Sequence, residues 1–123
     1  MKVGIIVNPV AGAGNGGRTR SRVALARDVL RRCNVDGEVF ITTHRHHARQ
    51  LCLDCVERGA ETVVAWGGDG TVNEVASELV FRKTVFGLVP GGSGNGLARE
   101  LGLPQRDPKQ ALVTALQGGS RWI

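Results

Sequence analysis

The sequence predicts an α/β protein built on a doubly wound, mainly parallel sheet with helices on both faces, a three-layer arrangement. Two observations predict it. Short apolar runs rich in β-branched residues alternate with segments whose apolar residues recur at helical spacing, and strand-then-helix repetition is the pattern of parallel strands joined by right-handed crossovers. Three of these runs also end in glycine-rich turns, and sheets of this kind bind ligands outside the carboxyl ends of their strands.

The first strand, 2–8, is the run Lys2–Val7 closed by Asn8-Pro9. A helix over 18–32 follows, with Val23, Ala26 and Leu30 on one stripe and Cys33 at its end. After a strand at 37–42, the helix at 46–58 carries Ala48, Leu51, Cys52, Cys55 and Val56 at i, i+3, i+4, i+7 and i+8. The strand at 61–66 contains Thr62-Val63-Val64-Ala65-Trp66, and Val72, Val75, Ala76, Leu79 and Val80 repeat the same spacing in a helix over 71–80. A strand at 84–89 leads to a short helix at 95–101. The last helix, 108–117, starts on Asp107 as N-cap with Pro108 at the first helical position, and Gly118-Gly119-Ser120 ends it.

A chain of 123 residues supplies one domain with a core and is too short for two of ordinary size. Glycine occupies 18 positions, about twice the usual share of roughly 7%, and the excess lies in the three turns, which points to site chemistry and away from disorder. A net charge of +5 suits an anionic partner, without choosing among nucleotide, phospholipid and nucleic acid. No run approaches the roughly 18 apolar residues of a membrane span, and Met1-Lys2-Val3 enters a strand directly, so a cytoplasmic protein without a signal peptide is expected.

Cys52-Leu53-Asp54-Cys55, with His44, His46 and His47 upstream, invites a zinc or redox reading. The helical stripe argues otherwise. It puts both cysteines on a buried face, where thiols behave as small hydrophobes, so reduced, metal-free cysteines are expected here and at Cys33.

The glycine turns carry the chemistry. The middle one, Gly67-Gly68-Asp69-Gly70-Thr71, stands between a strand and a helix, where backbone N–H groups and the helix N-terminus favour phosphate and a carboxylate can hold Mg²⁺ or take a hydroxyl proton. The first runs from Asn8-Pro9 through Gly12, Gly14, Gly16 and Gly17. Its match to the dinucleotide fingerprint, Gly12-x-Gly14-x-x-Gly17, is formal only, because Asn8 to Ala11 separate the glycine from its strand. The third is Pro90-Gly91-Gly92-Ser93-Gly94-Asn95-Gly96. Arg18, beside the first turn, is a phosphate candidate, whereas Arg20, Arg27, Arg31 and Arg32 read as a solvated face. Asp69 is the candidate acid. Glu74, near a helix start, serves a site or only the helix dipole. Trp66 reads as core.

Asn8-Pro9 with its glycine run, Thr42 followed by His47-Ala48, the stretch Gly67 to Glu74 and the stretch Pro90 to Asn95 together resemble the catalytic domain of the diacylglycerol kinase and sphingosine kinase family, the bacterial lipid kinases in particular. The resemblance covers nearly the whole chain. It implies an ATP-binding domain similar to those of NAD kinases and phosphofructokinases, with Asn8, Arg18, Thr42, Gly68, Glu74, Gly92 and Ser93 matching nucleotide-contacting positions; Pro9, Gly12, Gly67, Gly70, Thr71 and Gly91, in the same turns, are expected beside them. Asp69 matches the proposed base or Mg²⁺-linked acid. The implied reaction moves the γ-phosphoryl of Mg·ATP to the hydroxyl of a diacylglycerol-like lipid met at the inner face of a membrane, with no nucleic acid involved. Family members continue into a second, mostly β domain that completes the lipid pocket, and this chain stops at Ile123, where that domain is expected to begin. Two other classes remain open: a non-catalytic nucleotide-sensing module and a dinucleotide-dependent oxidoreductase.

Overall fold

The computed structural model of the protein describes residues 1–9, 16–90 and 108–116. The elements in chain order are β1 (Val3–Val7), α1 (Gly16–Arg32), β2 (Gly37–Ile41), α2 (His47–Glu57), β3 (Thr62–Gly67), α3 (Asp69–Leu79), β4 (Val85–Pro90) and α4 (Pro108–Leu116). The strands form one parallel sheet in the order β2-β1-β3-β4, in register Val7 with Ile41, Val7 with Trp66 and Gly67 with Pro90. The helix expected at 95–101, the stop at Gly118-Gly119-Ser120 and Trp122 lie outside the described residues.

The two central strands are apolar without alternation because both faces of the sheet are covered. Along β1, Ile6 points to a core made with Ala48, Cys52 and Cys55 of α2 and Val72, Val75 and Leu79 of α3. Val3, Ile5 and Val7 point the other way, to Ala26, Val29 and Leu30 of α1 and Ala111, Leu112 and Ala115 of α4. Thus α1 and α4 cover one face, α2 and α3 the other. Edge strand β2 is only partly covered: Glu38 and Ile41 are exposed and its other residues half-buried. Gly4 permits a close approach of α2 to the sheet, since a Cβ there would stand 2.5 Å from Cys55 Sγ.

Two helices end in the same hydrogen-bonded device. At the end of α2, Gly59 (φ 87°) donates to the Val56 carbonyl at 3.0 Å and Ala60 to the Cys55 carbonyl at 3.0 Å. At the end of α1, Asn34 (φ 54°) donates to Arg31 at 3.1 Å and Val35 to Leu30 at 2.9 Å. In each, a left-handed residue lets the last carbonyls find donors and turns the chain into the next strand.

Cys52 and Cys55 are fully buried and all three cysteines are free thiols. Their burial is what the apolar stripe led us to expect, and it pushes the Cys52 thiol up to about 12 and the Cys55 thiol up to about 11.

Candidate functional site at the strand-order reversal

Strand β2 lies on one side of β1 and β3 on the other, so the chain's direction of travel reverses between β1 and β3. Helices α1 and α2, on opposite faces, leave a crevice above that point. Parallel strands also put the N-termini of the following helices on this one edge, where their dipoles reinforce each other.

The ends of the strands are tied together across the edge. Asn8 N–H donates to the Trp66 carbonyl at 2.9 Å, and Thr42 N–H donates to the Val7 carbonyl at 3.0 Å. The buried Thr42 hydroxyl donates to Asn8 Oδ1 at 2.9 Å. From the α1 side, Arg22 Nη1 donates to the Asn8 carbonyl at 3.2 Å while its guanidinium lies 5.4 Å from the centre of the Trp66 ring. Trp66 is 1% exposed, a core residue as expected, and its Nε1 has no hydrogen-bond partner among the described residues.

These ties floor a cleft of about 440 Å³. Asn8 and Pro9 contribute from the end of β1, Thr42, Thr43, His44 and Arg45 from the β2–α2 loop, and Ala48 from α2; Gly68, Gly70, Thr71 and Glu74 come from the start of α3. Gly67 is buried beneath it. A Cβ at Gly67 would come within 2.9 Å of Asn8 Cβ and 3.0 Å of Thr71 Cβ and Oγ1, so only glycine lets β1 and α3 meet there. Gly68, the N-cap of α3, and Gly70 have open space where a Cβ would stand.

Seven of the sequence-predicted residues therefore line one cleft: Asn8, Pro9, Thr42, Gly68, Gly70, Thr71 and Glu74. Asp69 is exposed, at the first position of α3, two residues earlier than the periodicity placed the helix. Its carboxylate stands at the dipole's positive end. Arg18 belongs to α1, but its side chain lies outside the described residues, as do Gly12, Gly91, Gly92 and Ser93. The chain nevertheless leaves β1 at Asn8 and β4 at Pro90 on this same edge. Thr43, His44 and Arg45 join the cleft without having been assigned to it from sequence. Their only signal was the position after Thr42, and its meaning depends on β2 pairing with β1.

Glu74 has a second task. Its Oε1 accepts the backbone N–H of Arg49 at 3.2 Å, capping α2, whose own N-cap residue His46 (φ 69°) makes no side-chain cap. Arg49 Nε donates to Glu78, which holds the guanidinium above its ordinary value. Among the described residues no group of three or more His, Cys, Asp or Glu side chains is arranged to hold a metal.

The profile of the diacylglycerol kinase catalytic domain matches residues 2–123. A diacylglycerol kinase of Mycobacterium tuberculosis is 34% identical over 122 residues, covering 99% of this chain and 38% of the relative. A "Probable lipid kinase YegS-like" protein of Klebsiella pneumoniae is 36% identical over 104 residues, 83% of this chain and 35% of the relative. Among solved structures, a diacylglycerol kinase from Bacillus anthracis superposes with a TM-score of 0.73 at 26% identity, over 94% of this chain and 39% of that one. The chain thus spans less than two fifths of the length of these relatives. On this evidence the chain belongs to the diacylglycerol kinase catalytic domain family.

Proposed function

We propose that the cleft at the β1/β3 reversal binds Mg·ATP and that the chain is the nucleotide-binding half of a lipid kinase. One observation carries the reading. The N-terminus of α3 opens into the cleft at Gly68, with open space at Gly68 and Gly70, so its first N–H groups can approach phosphate oxygens that a side chain would hold away. Arg45 adds positive charge beside it. Glu74, already committed to the α2 amide, would repel phosphate and so suits the hydroxyl- or amine-bearing part of the nucleotide.

The reaction proposed for this cleft is the phosphoryl transfer that the family resemblance implies. The acceptor lipid's hydroxyl oxygen attacks the γ-phosphorus; the new O–P bond forms as the bond from that phosphorus to the β–γ bridging oxygen breaks, and ADP leaves. The hydroxyl proton passes to Asp69. Bound Mg²⁺, as part of the substrate complex, neutralises charge on the phosphate oxygens. The acceptor is a diacylglycerol-like lipid presented at a membrane surface, and a second domain in cis completes its pocket. Among the described residues no helix is long and apolar enough to cross a membrane.

Calorimetric titration with Mg·ATP, Mg·ADP and NADH tests the binding step, with the adenosine phosphates expected to bind and NADH not. In a version of the protein that turns over, Asp69→Asn should abolish transfer while nucleotide affinity stays within roughly tenfold, about 1.4 kcal/mol. Wild-type turnover in that variant removes Asp69 as the base.

A further inference from the structure

The β2–α2 loop makes one wall of the cleft, and an imidazole holds it. Thr43 N–H donates to His47 Nδ1 at 2.9 Å, and the Thr43 hydroxyl lies 3.3 Å from the same nitrogen and 3.0 Å from His44 Nδ1. A backbone N–H can only donate, so His47 Nδ1 must accept. Turning the ring over would set a C–H against that donor. The neutral ring therefore carries its proton on Nε2. His44 stacks on His47 with ring centroids 4.3 Å apart and planes 14° apart, and both His44 and Thr43 face the cleft.

We propose that His47 is a positioning residue for this cleft: its unprotonated Nδ1 fixes Thr43 and, through the stack, the His44 ring. The identity of the ligand rests on the nucleotide reading; the geometry does not. Protonation turns the acceptor into a donor aimed at another donor, and the Thr43 tie is lost. The charged and titratable groups around the loop are His44, Arg45 and His46 beside it, Arg49 on α2, and Glu74 and Glu78 on α3. Arg49 engages both carboxylates, one through its backbone and one through its side chain. The Arg49 guanidinium pairs with Glu78, while Glu74 keeps its charge and lines the cleft together with Arg45.

The test compares Mg·ADP affinity at pH 8 and pH 5 for the wild-type chain, His47→Asn and His47→Ala. Asparagine sets an oxygen where Nδ1 stands and accepts at either pH. Relative to His47→Asn, which cancels the titration of the nucleotide itself, the wild type should weaken by roughly tenfold on acidification, the worth of about one hydrogen bond. His47→Asn should match wild type at pH 8, and His47→Ala should be weak at both. A wild-type pH profile in His47→Asn, or wild-type affinity in His47→Ala at pH 8, overturns the proposal. The Thr43 amide resonance gives a reading independent of ligand: between pH 8 and pH 5 it should move further in the wild type than in His47→Asn, where only His44 remains beside Thr43. A chain that binds no nucleotide at any pH defeats the proposed function instead. In that event the Thr43 amide decides this inference alone, and a resonance blind to the titration overturns it.

Discussion

Adjacent glycines in one turn do opposite jobs, and their variants separate structure from binding. Gly67→Ala forces a methyl against Asn8 and Thr71, and overpacking of this kind should cost about 1–3 kcal/mol, read as a lower melting temperature. Gly70 lies in the first turn of α3 with free space around it, so Gly70→Ala should stabilise the fold by about 0.5–1 kcal/mol. The same methyl should weaken Mg·ATP by tenfold or more if, as proposed, phosphate approaches the amides there. A stabilised Gly70→Ala that binds normally takes those amides out of the site. The cysteines give a prediction of a different kind. Their thiols titrate higher folded than unfolded, so their contribution to stability is complete below about pH 9 and is lost as pH rises toward 11–12. Denaturation midpoints should fall across that alkaline window, and less steeply in a Cys52→Ala/Cys55→Ala variant. An equal slope in the variant would assign the alkaline loss to other groups.

At the scale of elements, the coupling between α2 and α3 runs through one carboxylate. Glu74→Ala strips the Arg49 amide of its acceptor and should cost about 1 kcal/mol in urea denaturation, as loss of a cap does. Glu74→Gln keeps an oxygen there and should cost less; equal losses would mean that charge, not the hydrogen bond, matters. This role was not legible in the sequence, where Glu74 read only as a site residue or a partner for its own helix dipole. Periodicity reports which face of a helix is buried, not which neighbouring helix end a polar residue will reach. The start of α3 was misplaced for a related reason. Gly68-Asp69-Gly70 has poor intrinsic helix propensity, yet burial of Val72, Val75 and Leu79 winds the turn into helix from Asp69 onward. The cysteine stripe of α2 was legible, because i, i+3, i+4 spacing alone determines which side chains share a face.

For the whole molecule, the parallel doubly wound architecture was readable from alternation and from unbroken apolar strands such as Thr62–Trp66. The order β2-β1-β3-β4 was not, because each strand's composition is compatible with either neighbour. That order is what sets the β2–α2 loop against Asn8 and turns scattered motif residues into one cleft. The central claim is that this edge, and not the opposite one, holds nucleotide. Amide shifts recorded by NMR during a Mg·ADP titration test it most directly. Saturable shifts are expected at Asn8, Thr42, Thr43, Gly68, Gly70 and Thr71, with Gly59 and Phe81 at the far ends of α2 and α3 unmoved. Shifts centred on Gly59 and Phe81, or none at saturating nucleotide, would contradict it.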